Sequence, residues 1–323
     1  MALRNSVPAA SIALAALLLT ACSGVQSALD PAGRAAEDLA RLWWWMAGAA
    51  VVIWAAVIAL AVYAVRARPR AHPRRVALFV IGGGAAFPTV VLAGLLTYGL
   101  ALMPDLLAPV PEDALRVHVS GEQWWWRVRY PAPDGDGFVE LANEVHLPVG
   151  EPVELLLDSP DVIHAFWVPS LGGKIDMIPG RTNRLRLEPT RTGRFRGLCA
   201  EYCGASHALM NFWVVVEERA AFDAWLARQA QPARRGNDVF LSSGCGACHT
   251  IRGTPADGTV GPDLTHVGSR LSLGAGILPN DPSSFARWIG ETSALKPEVH
   301  MPAFGMLRDE DLAALGTYLE SLR

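Results

Sequence analysis

Lysine is almost missing from this chain: of its 28 Lys and Arg residues, only Lys174 and Lys296 are lysine. Against 31 Asp and Glu the formal net charge is -3, so no cationic excess is available for nucleic-acid phosphates. Cysteine is scarce as well. Five in 323 residues, Cys22, Cys199, Cys203, Cys245 and Cys248, are too few for a disulfide framework, and four of them fall in two close pairs. Close pairing favours metal binding or cofactor attachment over stapling. Charge vanishes from Leu42 to Val65 and again from Val76 to Pro104, and no Asp or Glu lies between Leu39 and Pro104. Internal repeats and low-complexity segments are lacking. So is the helix-strand alternation of a βαβ fold.

What is present begins with apolar residues, 51% of the chain. The opening "MALRNSVPAASIALAALLLTACSG" carries an early Arg4 and an apolar run ending at Leu19, the pattern of an export signal over 1–22. Its tetrad Leu19-Thr20-Ala21-Cys22 resembles a bacterial lipobox, which makes Cys22 a candidate lipidation site. A bilayer core of roughly 30 Å takes about 20 helical residues at about 1.5 Å each, and both uncharged runs are long enough. They predict a two-helix transmembrane hairpin over 42–103. The loop "RARPRAHPRR" between them holds Arg66, Arg68, Arg70, Arg74 and Arg75, which places it in the cytoplasm and both flanks outside. Trp43, Trp44 and Trp45 then fall at the outer interface, where aromatic belts sit.

From Asp105 to Glu218 the pattern changes to short β-type runs: "LRVHVS", "QWWWRVRY", "FVELANEVHLP", "PVELLLD", "TNRLRLEP" and "NFWVVVE". Their alternation and the turn signals between them predict a β-sandwich or barrel over 105–218. In the tryptophan run, Trp125 and Trp126 should divide between the two sheet faces. Residues 219–235, with a helical turn or two around Phe222, Trp225 and Leu226 and then a Pro-containing tail, read as a linker. Beyond Gly236 the chain turns helical and closes on Leu312, Leu315, Leu319 and Leu322 at helical spacing.

Two motifs carry chemistry. The stretch "GLCAEYCGASHALM" offers Cys199, Cys203, His207 and Met210 within one loop, a soft donor set that suits copper and disfavours calcium or magnesium. A Cys199–Cys203 disulfide is the plain alternative, but it needs neither His207 nor Met210. The motif C-x-E-x-C-x-x-x-H-x-x-M resembles the copper A domain of cytochrome c oxidase subunit II, and Cys199, Glu201, Cys203, His207 and Met210 fit every position. That resemblance implies a cupredoxin β-barrel and a further ligand, His164, from "DVIHAFWVPSLGGKIDMIPGR". It implies dinuclear copper A with Cys199 and Cys203 bridging, His164 and Met210 on one side, and His207 with the Glu201 carbonyl on the other. It also implies magnesium on the Glu201 side chain at the boundary with the catalytic subunit, and electron entry at Trp124. His118 and His146, lacking partner ligands nearby in sequence, read as ordinary strand histidines.

The second motif is "CGACH", the C-x-x-C-H of covalent haem c, in which Cys245 and Cys248 add to the porphyrin and His249 binds iron. The following "GPDL" and the closing helix make 236–323 similar to a class I cytochrome c, an all-α domain. Its "HMPAFGM" offers His300, Met301 and Met306 as the sixth ligand, and the usual Met-Pro pattern selects Met301.

Together these features predict a multidomain membrane protein, the electron-transfer subunit of a proton-translocating haem-copper oxidase of the bacterial inner membrane. Electrons would run from a cytochrome c or cytochrome bc complex through haem c and copper A to subunit I, with subunit III alongside and both extramembrane ends on the periplasmic side. A nitric oxide reductase fed by copper A would show nearly the same motifs. A thioredoxin-like copper metallochaperone would need a βαβ pattern and no Met210.

Overall fold

The computed structural model of the chain describes residues 22–67, 72–106, 108–233 and 236–323. The export-signal reading over 1–21, and Arg68 and Arg70 of the basic loop, lie outside them. The chain divides into two units, 37–109 and the remainder.

The first unit is apolar helix. Helix α1 (Arg34–Ala67) begins ahead of the uncharged run and carries Glu37, Asp38 and Arg41 in its opening turns, with Asp38 and Arg41 paired at 3.3 Å. The second run forms α2 (Pro73–Ile81), a π-helical turn at Gly82–Ala86, and α3 (Phe87–Leu106). In the π turn, the Phe87 N–H reaches back to the Gly82 carbonyl, the wider spacing that such bulges insert into a helix. The two candidate spans have mean hydropathies of 2.4 and 2.1, and neither is covered by protein. Helices apolar on every side and uncovered are suited to lipid.

The second unit contains a β-sandwich. One sheet orders its strands as β3 (Phe138–Ala142), β2 (Trp125–Pro131), β1 (Arg116–Glu122), β5 (Val153–Asp158) and β8 (Asn183–Leu187). The other runs β4 (Glu144–Pro148), β10 (Asn211–Glu217), β9 (Gly193–Cys199), β6 (His164–Trp167) and β7 (Ile175–Met177). Period two is plain in β10, where Phe212, Val214 and Val216 are buried and their neighbours are not, so one face of each sheet closes the core.

The run "FVELANEVHLP", which reads as continuous, is two strands in different sheets. Asn143 separates them with φ 60°, a left-handed conformation that Asn tolerates better than most residues. Its N–H and its side-chain oxygen both bond the Trp126 backbone at 2.9 Å, and its carbonyl accepts from Trp213 N at 3.1 Å. One residue thereby ties β2 of the first sheet to β10 of the second.

Residues 219–235, expected as a linker, begin instead as α4 (Arg219–Gln229). Phe222, Trp225 and Leu226, at i, i+3 and i+4, enter the sandwich core, with Trp225 edge-on to Tyr130 at 5.3 Å. Burying three large apolar side chains holds this helix on the sandwich, and the connection starts only beyond Gln229.

The C-terminal region builds a second core from α5 (Asp238–Ser242), α6 (Pro282–Leu295) and α7 (Asp309–Ser321) around Phe240, Ile251, Phe285, Ile289, Leu315 and Leu319. Asn237 and Asp281 cap α5 and α6, each side chain accepting a backbone N–H at 2.9 Å, and Pro282 sits at the first turn of α6. Gly316 lets α7 cross α6: a Cβ there would lie 2.2 Å from the Pro282 carbonyl.

Candidate functional site

Strand β9 ends at Cys199 and β10 begins at Asn211, and the loop between them is closed by Cys199 N–H donating to the Met210 carbonyl at 3.0 Å. Cys199 Sγ and Cys203 Sγ stand 3.8 Å apart, both thiols free and buried. His164 Nδ1 is 3.8 Å from Cys199 Sγ, His207 Nδ1 3.6 Å from Cys203 Sγ, and Met210 Sδ 3.8 Å from Cys203 Sγ. The Glu201 carbonyl lies 3.1 Å from Cys199 Sγ. Metal-donor bonds of about 2.0–2.3 Å put neighbouring donors of a tetrahedral set about 3.5 Å apart, so the separations fit metal sharing between the two sulfurs. A hydrogen bond from Cys203 draws the Cys199 thiol well below its ordinary value, and the same bond pushes Cys203 up. The first proton therefore leaves Cys199 easily.

His164 is fully buried at the start of β6, and Gly121 makes room for it, since a Cβ there would meet the imidazole at 3.1 Å. Its Nε2 faces Asp161 Oδ1 at 2.9 Å. Burial pushes the Asp161 carboxyl up, but the bond to His164 and the N–H groups of Gln123 and Val162 outweigh it, leaving it at about 2. Asp161 is thus an anion that orients the His164 imidazole. Sequence reasoning passed over it, although its place three residues before His164 was the available signal.

Trp124 is buried, and its indole N–H donates to the Cys203 carbonyl at 3.0 Å, beside Gln123 Nε2 on the same oxygen at 2.7 Å. Gly204, at φ +117°, permits this contact, because a Cβ would lie 2.9 Å from the Trp124 ring. Trp126 is fully buried, while Trp125 is half-buried beneath the Arg127 guanidinium at 4.6 Å, the division between faces that alternation predicts. The Glu201 carboxylate is 46% exposed, with Lys174 Nζ 3.9 Å away.

The C-x-x-C-H stretch forms a turn, Cys245–Ala247, after Gly244 at φ 78°. His249 Nδ1 lies 2.9 Å from the Pro262 carbonyl, which can only accept, so the hydrogen sits on Nδ1 and Nε2 is left as the basic nitrogen. Burial draws the His249 pKa down, more than that bond restores it, and the neutral form is the one that binds metal. Gly261 lies against the ring: a Cβ would be 2.5 Å from Cε1. Met301 is half-buried against the helical core, whereas Met306 is 78% exposed. A neutral imidazole and a thioether are donors of the kind that hold haem iron.

Residues 134–218 match the family model of the cytochrome c oxidase subunit II periplasmic domain, and residues 233–323 match that of cytochrome c. Each model matches less than half of the chain. Cytochrome c oxidase subunit 2 of Alkalihalophilus pseudofirmus is 40% identical over 222 residues, covering 66% of this chain and 63% of the relative. The alternative cytochrome c oxidase subunit 2 of Bradyrhizobium diazoefficiens is 37% identical over 166 residues, 43% of this chain and 60% of the relative. The crystal structure of the periplasmic domain of subunit II from Bradyrhizobium japonicum is 34% identical, covering 38% of this chain and 96% of that one, at a TM-score of 0.35. The chain spans 63% of the length of the first of these relatives.

The subunit II domain and the cytochrome c domain touch through polar contacts. Arg127, buried between Glu122 and Glu140, donates to the carbonyls of Thr259 and Val260 at 3.2 and 3.3 Å. Glu144 accepts the Leu271 N–H at 2.7 Å, and Ser206 Oγ donates to the Pro297 carbonyl at 2.6 Å. The His300 ring stands 6.2 Å from that of Trp124. His146, read as an ordinary strand residue, is buried between Glu144 and Glu217 at 2.9 Å each and stacks on Trp225 at 3.7 Å. His118 pairs with Asp158 at 2.9 Å. His266 bonds the Gln231 carbonyl at 2.8 Å, away from the haem candidates.

Proposed function

We propose that this chain is the electron-transfer subunit of a haem-copper cytochrome c oxidase, carrying electrons from an external donor through its cytochrome c domain to its copper centre and on to subunit I. One observation carries the reading: Trp124 donates its N–H to the Cys203 carbonyl of the copper loop, and its ring lies 6.2 Å from that of His300, the residue before Met301. Copper A, when bound, takes up and passes on one electron spread over two metals, and haem c supplies the electron through its iron.

The residues do the rest. Cys199, Cys203, His164, Met210, His207 and the Glu201 carbonyl would hold the copper pair. Burial of both thiols and of His164 keeps water from the donors. Asp161 holds the His164 ring so that Nδ1 faces the metal. Cys245 and Cys248 would attach a haem through thioethers, and His249 and Met301 would hold its iron. The half-buried position of Met301 beside the helical core, against the exposure of Met306, supports that choice. The fused cytochrome c domain raises the donor's effective concentration at Trp124.

Partners follow from the same reading: subunits I and III in the bacterial inner membrane, and a cytochrome c or cytochrome bc complex as donor. The helices α1 and α2–α3 span that membrane with the two domains on the periplasmic side, and Cys22 is lipidated. The Glu201 carboxylate would give magnesium a single ligand, the others coming from subunit I.

Purifying the complex through this chain and assaying it with oxygen and with nitric oxide tests the reading. Oxygen turnover with copper A and haem c signals is the expected result; turnover of nitric oxide alone makes it a nitric oxide reductase subunit. Met210→Leu should perturb the mixed-valence copper signal and leave haem c intact. An unchanged copper spectrum would remove Met210 from the ligand set.

A further inference from the structure

Lys296 belongs to the cytochrome c domain, just past the end of α6, yet it is only 2% exposed because its side chain runs into the subunit II domain. Its ammonium donates to the carbonyls of Trp124 at 2.6 Å, Leu209 at 3.0 Å and Gly274 at 3.1 Å. Three N–H donors meet three acceptors and no carboxylate, a cradle that selects an ammonium: a neutral amine would turn its lone pair on a carbonyl. Trp124 is the residue between the centres, Leu209 precedes the ligand Met210, and Gly274 belongs to the cytochrome c domain. A lone buried cation is costly, and a chain with only two lysines has spent one of them here.

We propose that Lys296 is a positioning residue for electron transfer between the two centres, its ammonium fixing the Trp124 peptide, the copper loop and the cytochrome c domain together so that His300 stays beside the Trp124 ring. The inference rests on the electron route proposed above. One electron crosses, the haem iron being oxidised and the copper pair reduced by one each, and no bond forms or breaks. With its ammonium on the Leu209 carbonyl, next to Met210, the residue also sets a positive charge beside the copper loop, which favours the reduced copper pair over the oxidised one. Burial draws the lysine down to about 7, so the cation is held most fully below neutral pH.

The assembled complex with Lys296→Met, which keeps the length of the stem and removes charge and donors, tests this. Flash reduction of haem c, followed by the appearance of reduced copper A, gives the rate within the chain, and titration gives both potentials. In Lys296→Met the rate should fall by between about tenfold and a hundredfold, as sub-ångström positioning is lost. The copper A potential should fall too, with the haem c potential and spectrum unchanged. Lys296→Arg, which keeps a cation, should restore most of the rate. A wild-type rate in Lys296→Met overturns the proposal, as does an equal slowing in both variants with the copper potential unmoved, which would mean that the side chain only fills space. Should Lys296→Met fail to assemble, Lys296→Arg alone decides, a wild-type copper potential and rate supporting the proposal and a rate lost with copper intact overturning it. If flash-reduced haem c fails to reduce copper A even in the unaltered protein, the electron route itself is wrong.

Discussion

The Trp124 indole N–H and the Cys203 carbonyl are joined by a 3.0 Å hydrogen bond, so a ring facing the cytochrome c domain is bonded directly to the backbone of a copper-loop cysteine. Trp124→Phe keeps an aromatic ring and deletes that bond, while Gln123 Nε2 still serves the Cys203 carbonyl. Copper should load normally and unfolding should cost about 1 kcal/mol less. Electron transfer from haem c to copper A should slow. An undiminished rate in flash photolysis would take the indole out of the route.

Asp161 holds His164 from the side away from the sulfurs. Removing such an orienting carboxylate typically costs about 10–100-fold in metal affinity. Asp161→Asn should therefore lower copper affinity by that order in a competition titration, with haem attachment unaffected. Wild-type copper retention would show that Gly121 and the β6 backbone orient the ring by themselves.

Met301→Ala should lower the haem c potential and remove the weak far-red band of methionine ligation, while Met306→Ala, on an exposed side chain, should be nearly silent. The reverse pattern in redox titration would move the ligand to Met306.

His146 links stability to pH. Burial alone would lower its pKa, but the hydrogen bonds it donates to Glu144 on β4 and Glu217 on β10, with their charges, raise it overall. Tyr130 from β2 bonds its backbone, Trp225 from α4 stacks on its ring, and Arg270 of the cytochrome c domain is drawn to Glu144. With the folded pKa above the unfolded value of about 6.5, the stabilisation is complete below that pH and is lost as pH rises through the folded value. The melting temperature of the intact chain should fall across that window. His146→Gln should flatten the fall; an identical curve would place the linkage elsewhere.

Both candidate ligand sets stand out in the sequence because chemistry fixes the spacing of such donors: Cys199, Cys203, His207 and Met210 close one loop, and Cys245, Cys248 and His249 one turn. Strand β9 carried no such signal. Gly197 occupies a core-facing place there because the Phe212 ring lies over it, where a Cβ would be 2.1 Å from the ring, so the apolar alternation skips a beat. The break at Asn143 was hidden for the opposite reason, since apolar residues continue on both sides while the chain changes sheets. Lys296 could not be placed at all. A lysine between Leu295 and Pro297 reads as surface, and only the three carbonyls converging from separate segments show otherwise.

The seating of α4 on the sandwich decides where the molecule can be cut. A fragment ending at Glu218 strips Phe222 and Trp225 from Tyr130 and uncovers the His146 ring, leaving an apolar scar on a sandwich otherwise intact. One ending after Ala230, whose N–H closes the helix on the Leu226 carbonyl, keeps that lid and is the fragment to express when the copper centre is wanted without its haem.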